Sequence, residues 1–173
     1  EDARRVMDVL PKRFERCGLT RHPEKTRRVD FRRPSRTGTQ GGSQRERSFD
    51  LLGFTHYWGR SRKGRWVVQR KTAKSRFSRA LRQIGQWCRN NRHRPVPEQQ
   101  QALSRKLKGH NAYYAITGNS LALSRFRFEV QRRWHQWLNR RSHATRLDWP
   151  AFNRLLKRHP LPPARAIHSL YAT

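Results

Sequence analysis

The hydrophobic period of this chain changes once, near Thr72, and that change constrains the fold more than any other feature. After it, apolar residues recur at threes and fours: Phe77, Leu81, Ile84 and Cys88, then Leu123, Phe126, Val130, Trp134, Trp137 and Leu138. This spacing lines one side of a helix, because a turn takes 3.6 residues. Before it, 51–58 and 65–70 read as strands, joined by a basic hairpin tip from Gly59 to Gly64. The expected class is therefore α+β. A short helix-plus-antiparallel-strand portion, residues 1–71, precedes an all-α portion, residues 72–173.

Finer expectations follow from local signals. Ala3, Val6, Met7, Leu10, Phe14 and Cys17 form a helical stripe over 2–17, with Pro11 placed to kink or split it and Gly18 at the C-cap position. Residues 27–33 read as a short strand around Val29 and Phe31, and the Gly- and Ser-rich stretch 34–48 reads as a flexible loop. Thr72 is the expected N-cap of the first helix after the change. A second helix runs from about Pro97 to Lys108, with Gly109 separating it from His110-Asn111-Ala112-Tyr113-Tyr114. The longest runs to about Arg141 and the last covers about 148–158.

Charge narrows the partner. There are 41 Lys and Arg against 11 Asp and Glu in 173 residues, a net charge of +30. Self-repulsion at that density is relieved by a polyanion, and nucleic acid, whose bound counterions are released on contact, is the first candidate. An anionic membrane surface is the competitor; no apolar run approaches the ~20 residues of a transmembrane span, and no membrane partner is expected. The apolar fraction is 34%, but 6 Trp, 8 Phe and 4 Tyr give each buried position a large contact area. Cys17 and Cys88 are too few for a disulfide framework, and they read as two small buried apolar residues in a reducing compartment.

Two blocks then stand out: Gly18-Leu19-Thr20-Arg21-His22-Pro23-Glu24-Lys25-Thr26 and Phe49-Asp50-Leu51-Leu52-Gly53-Phe54. They are followed in order by Leu107-Lys108-Gly109-His110-Asn111-Ala112-Tyr113-Tyr114, by Gly118-Asn119, by Trp134 and Trp137-Leu138 with Arg140-Arg141-Ser142, and by Leu161-Pro162-Pro163 before Ile167-His168-Ser169-Leu170-Tyr171. In this order the chain resembles the C-terminal part of bacterial group II intron reverse transcriptases, the maturases. It departs at Leu51, where that family more often has Phe. The resemblance implies that residues 1–71 are the end of the palm and 72–173 the thumb, or X domain. It implies a longer parent, an RNA-directed DNA polymerase, and the chain beginning at Glu1 without Met is read the same way. It also implies intron RNA and an RNA template–DNA primer duplex as partners, and a bacterial cytoplasmic, nucleoid-associated location. The oligomeric state is left open.

Site residues follow from the match. Lys25 would lie near the incoming nucleotide, where a lysine can protonate departing pyrophosphate; closing a turn with Lys25 solvated is the other reading. Leu52, Gly53 and Phe54 would form the primer grip, the glycine letting backbone approach the primer; a strand bulge at Gly53 is the alternative. Tyr113 and Tyr114 beside Lys106, Lys108 and His110 suit base stacking and phosphate contact. Equally, one tyrosine packs in the core and the other shows only its hydroxyl. Arg76, Arg79 and Arg82, then Arg125, Arg132, Arg133, Arg140 and Arg141, are assigned to RNA phosphates. Trp134 and Trp137 are at core spacing.

The polymerase centre is missing. No Tyr-x-Asp-Asp block occurs, and Asp30 and Asp50 are isolated, so nothing here holds the two Mg²⁺ ions, about 3.5–4 Å apart, of a two-metal mechanism. Mg²⁺ is expected only for the full-length polymerase, and this chain is expected to carry no cofactor and to be inactive alone. The 8 His and 2 Cys show no zinc-ligand spacing, and Gly41-Gly42 lacks the Lys-Ser or Lys-Thr of a phosphate loop. A stand-alone basic RNA-binding scaffold, without polymerase ancestry, would explain the charge but not the ordered blocks.

Overall fold

The computed structural model of the chain describes residues 2–20, 22, 26, 28–34, 48–141 and 146–168. It is an α+β structure. Helix α1 (Asp2–Arg16) is followed by strands β1 (Ser48–Leu51), β2 (Phe54–Arg60) and β3 (Trp66–Thr72), then helices α2 (Lys74–Asn90), α3 (Val96–Tyr114), α4 (Ser120–Leu138) and α5 (Trp149–Arg158). The strands form one antiparallel sheet in the order β1-β2-β3. Two compact units divide the chain at Glu1–Phe49 and Asp50–Thr173. The change of character near Thr72 is thus a strand-to-helix switch inside the second unit.

In the first unit, α1 continues through Pro11. It ends where the glycine predicts. Gly18 adopts φ +67°, its N–H donates to Glu15 O, and Leu19 N–H reaches back to Phe14 O at 2.9 Å. This pair of bonds is a Schellman cap, and glycine takes the left-handed position without a Cβ clash. The strand expected over 27–33 does not form in the described residues 28–34. There Arg32 pairs bidentately with Asp30, at 3.0 Å to each carboxylate oxygen, a local bond that competes with an extended ladder. Residues 35–47, most of the expected loop, lie outside the described set.

In the second unit, the strand expected over 51–58 is interrupted. Leu52 and Gly53 both have positive φ, 49° and 81°, and turn the chain tightly between β1 and β2. Two positive φ values in a two-residue loop match the right-handed twist of the strands they join. β2 and β3 then pair from Phe54↔Thr72 to Arg60↔Trp66. Arg60 and Trp66 are directly paired, and the guanidinium sits 4.6 Å from the ring centroid; Lys71 and Tyr57 are diagonal neighbours on one face, with the ammonium 5.1 Å from the ring centroid.

The helical core is built from Ile84 and Cys88 of α2, Leu103 and Leu107 of α3, Phe126, Val130, Trp134 and Leu138 of α4, Phe152 of α5, and Leu161. Burying a large side chain of this kind contributes roughly 1.5–3 kcal/mol. Trp134 is fully buried and its indole N–H donates to Gln99 Oε1 at 2.9 Å. Gln99 is buried too, and its amide donates to Arg92 O and Arg94 O, closing the turn between α2 and α3.

Two expectations change here. Thr72 is not the α2 cap: it ends β3, and Ala73 occupies the cap position. Its own N–H is taken by Asn119 Oδ1 at 2.9 Å, while Asn119 Nδ2 donates to Thr72 Oγ1 and Tyr114 O. Nor does Gly109 end α3, which runs to Tyr114. A mid-helix glycine costs about 1 kcal/mol. Contacts beyond it offset that: the His110 ring stacks on Phe126, and Asn111 donates to Pro163 O.

The segment after α5 is held through its carbonyls. The carbonyls of Pro160, Pro162 and Pro163 accept from side chains of α3 and α4. Gln100 donates to Pro160 O at 2.6 Å and Arg127 to Pro162 O at 2.9 Å. Further on, Ile167 N–H donates to Ala115 O and Thr117 N–H to His168 O.

Candidate nucleic-acid interface

Two sets of residues singled out in the sequence, some sixty positions apart, meet in the second unit. The Leu52-Gly53 turn lies against the end of α3. Tyr113 donates its hydroxyl to Leu52 O at 2.7 Å, and Phe54 stacks on Tyr113 with centroids 5.7 Å apart and meets Tyr114 edge-on at 5.3 Å. Gly53 is required twice. Its φ of +81° disfavours any side chain, and a Cβ there would stand 2.9 Å from the Tyr114 hydroxyl oxygen. Arg76, on the first turn of α2, passes 3.7 Å from the same point.

The arrangement separates the two tyrosines. Tyr113 is the exposed one, at 53%, whereas Tyr114 is half-buried, and burial raises its phenol pKa with a smaller contribution from Tyr113. His110 plays a different part from the one its basic neighbours suggested. Its ring lies between Tyr114 and Phe126, and burial pushes its pKa down to about 4. At neutral pH it contributes an uncharged ring to the stack and no cation to a phosphate.

A second assembly lies between α2 and α4. Arg82, Gln86 and Arg89 from α2 face Arg133, Gln136 and Trp137 from α4 across a groove of about 390 Å³. The stem of Arg133 passes over Gly85, 3.8 Å from where a Cβ would stand. Trp137, assigned to the core from its spacing, packs against the core and also lines this groove. The guanidinium groups of Arg140 and Arg89 lie 4.8 and 5.9 Å from its ring centroid.

Arg133 and Gln136 carry the groove on into a cleft of about 530 Å³, whose walls include Arg132, Arg140, Arg146 and Trp149. Among the described residues lining groove and cleft, Glu129 is the one acid, and Arg132 pairs with it at 3.1 Å. Arginines set side by side with one carboxylate among them suit bidentate phosphate contact, since the guanidinium fork matches two phosphate oxygens.

The remaining candidates do not converge. Arg79 is exposed on α2, and Arg125 sits 5.9 Å from the Phe77 ring. Lys106 lies over Trp87 at 5.7 Å, and Lys108 lines a different groove beside Pro160–Pro163. Arg141 turns to His93 O and Arg94 O and closes the α2–α3 turn. Lys25 lies outside the described residues. Arg89, Arg146, Trp149 and the two glutamines were not among the sequence candidates. Arg89 was legible, being seven residues from Arg82 and so on the same helix face.

The two described aspartates in or near the blocks Gly18–Thr26 and Phe49–Phe54 each have a local partner. Asp30 is engaged by Arg32, and Asp50 accepts the Thr55 hydroxyl at 2.5 Å. Among the described residues no group of three or more His, Cys, Asp or Glu side chains is gathered to hold a metal ion, and no helix is long and apolar enough to cross a membrane. Comparison of the chain with protein-family models, with curated proteins and with solved structures finds no match.

Proposed function

We propose that this chain binds structured RNA along the α2–α4 groove, as the palm-end and thumb portion of a group II intron reverse transcriptase and maturase. The observation that carries the RNA-binding reading is the groove itself: Arg82, Arg89, Arg133 and Arg140 flank Trp137, with Glu129 already neutralised by Arg132. Guanidinium forks supply phosphate contacts and the indole a stacking surface, the combination suited to RNA. The family reading rests on the ordered blocks, and it gains weight from the packing of two of them, Leu52-Gly53-Phe54 and Tyr113-Tyr114, into one corner. In this reading the corner positions a primer strand and the groove grips intron RNA and the template–primer duplex. The catalytic Mg²⁺ ions belong to carboxylates outside this sequence, so no chemical step is assigned to it.

The test is the salt dependence of binding to a structured RNA. Each phosphate contact contributes about 0.9 to the log–log slope on a B-form duplex and about 0.7 on a single strand. Replacing Arg82, Arg89 and Arg133 together by Gln is expected to weaken binding and lower the slope by roughly two. An unchanged slope would remove the groove as the contact surface. For the family reading, a Tyr-x-Asp-Asp block encoded in the same frame shortly upstream is the expected finding. An open start codon there with no such block would leave a stand-alone RNA-binding scaffold.

A further inference from the structure

The cleft between α4 and the start of α5 continues the groove and is larger, about 530 Å³ against 390 Å³. That is room enough for a nucleotide-sized group. Its far wall is fixed. Asn139 accepts Leu147 N–H at 2.6 Å and donates to Leu147 O at 3.0 Å, holding both backbone groups of one residue as a neighbouring strand would. His135 Nε2 also lies 2.7 Å from Leu147 O. Asp148 then caps α5 through Ala151 N–H, with Pro150 in the first turn.

These bonds present Trp149. The His135 ring covers part of it, with centroids 4.3 Å apart, and Phe152 meets its edge at 5.8 Å. Even so the residue is 45% exposed and lines the cleft. An indole packed by His135 and Phe152 yet still open to the cleft offers a stacking surface for a base. Arg140 and Arg146 line the same space.

We propose that this cleft takes one unpaired RNA nucleotide, its base stacked on Trp149 and its phosphate held by Arg140 and Arg146, while the flanking backbone follows the α2–α4 groove. The assignment rests on the RNA-binding reading and makes it selective. The groove binds through phosphates and the Trp137 surface; filling the cleft as well adds a preference for RNA with a bulged or looped-out base.

Three probes test this with the full chain: an RNA hairpin with a single 2-aminopurine bulge, the same hairpin with that base paired, and 2-aminopurine ribonucleoside monophosphate. Wild type is expected to bind the bulged hairpin at least roughly fivefold more tightly than the paired one and to quench its fluorescence. Trp149→Ala should reduce that preference to within about twofold while retaining affinity for the paired hairpin, and Trp149→Phe should keep part of it. Arg146→Gln, at an exposed position, should weaken the bulged complex more than the paired one. If both hairpins bind wild type equally, or the preference survives Trp149→Ala, the cleft is not a nucleotide site, although the groove still binds RNA. If the free nucleotide binds as tightly as the bulged hairpin, the cleft serves a mononucleotide and the RNA assignment is wrong. If neither hairpin binds, the RNA-binding reading itself fails.

Discussion

Replacing Asn119 by alanine tests how the strand portion is tied to the helices. The side chain is 1% exposed and makes three bonds: Oδ1 accepts Thr72 N–H at 2.9 Å, and Nδ2 donates to Thr72 Oγ1 at 2.8 Å and Tyr114 O at 2.9 Å. The losses are unequal. Thr72 N–H, in a residue 7% exposed, is left without its acceptor, which costs about 1–3 kcal/mol. Tyr114 O keeps the Ile116 N–H at 2.9 Å and loses little, and the Thr72 hydroxyl can rotate. With a smaller contribution from the void, Asn119→Ala should destabilise by about 2–4 kcal/mol, a large share of the ~5–15 kcal/mol typical of a domain. Urea unfolding followed by tryptophan fluorescence measures it, because Trp134 passes from full burial to water. The midpoint should fall while the m-value holds. Asn119→Asp keeps the acceptor for Thr72 N–H but turns a carboxylate toward Tyr114 O, so its cost should be largest near neutral pH and shrink in acid. A loss below about 1 kcal/mol for the alanine variant, at unchanged m, would refute the argument that this clamp secures the junction.

Other outcomes follow from the same geometry. Gly53→Ala should destabilise by roughly 1–3 kcal/mol, and Tyr114→Phe should recover part of that in the double variant, since the Tyr114 hydroxyl is the obstructing atom. Equal losses with and without Tyr114→Phe would place the whole cost in the backbone. His110 has its pKa lowered from 6.5 to about 4 by burial. As pH falls through 6.5 the unfolded chain takes up this proton and the folded chain does not, so stability should decline between about pH 6.5 and 4 and then level off. A His110→Phe variant should lack that share of the decline, measured by urea midpoints across the range. Cys88 is buried as its spacing predicts, with its thiol pushed up to about 12, but Cys17, read from the sequence as buried too, is exposed just past the end of α1. A thiol reagent should therefore label one cysteine in the native protein and two in denaturant, read by intact mass. Arg133→Gln should weaken RNA binding more than Arg132→Gln, because Arg132 already spends its charge on Glu129; equal effects in a filter-binding assay would argue against that pairing in solution.

What the sequence made legible divides along physical lines. Periodicity tells which side of a helix is buried, so the stripes Ile84–Cys88 and Phe126–Val130–Trp134–Leu138 lead directly to the core. Gly18 was read as a cap because its position beyond a stripe has a single steric meaning. Periodicity does not tell which neighbour an exposed side chain turns toward. Arg140 and Arg141 are adjacent, yet one lies over Trp137 and the other closes a distant turn. Local preference also failed where distant partners decide. Gly109 reads as a break, but α3 is held beyond it by Phe126 and Pro163. Leu52 is a poor turn residue by propensity, and its carbonyl is held by a tyrosine sixty-one positions away. The cleft drew on residues as far apart as Glu129 and Trp149, and nothing short of the α4–α5 packing brings those together.

The crowding of arginines in the α2–α4 groove has a thermodynamic consequence of its own. With Glu129 the one carboxylate among the described residues lining groove and cleft, those guanidinium groups repel one another whenever the space holds only water and small counterions. Folding brings these charges together, and an anion that bridges them favours the folded form over the unfolded. The melting temperature of this protein is then a joint property of the chain and its solution. Ionic strength, the choice between chloride and phosphate, and carried-over nucleic acid all enter the folding equilibrium as reactants.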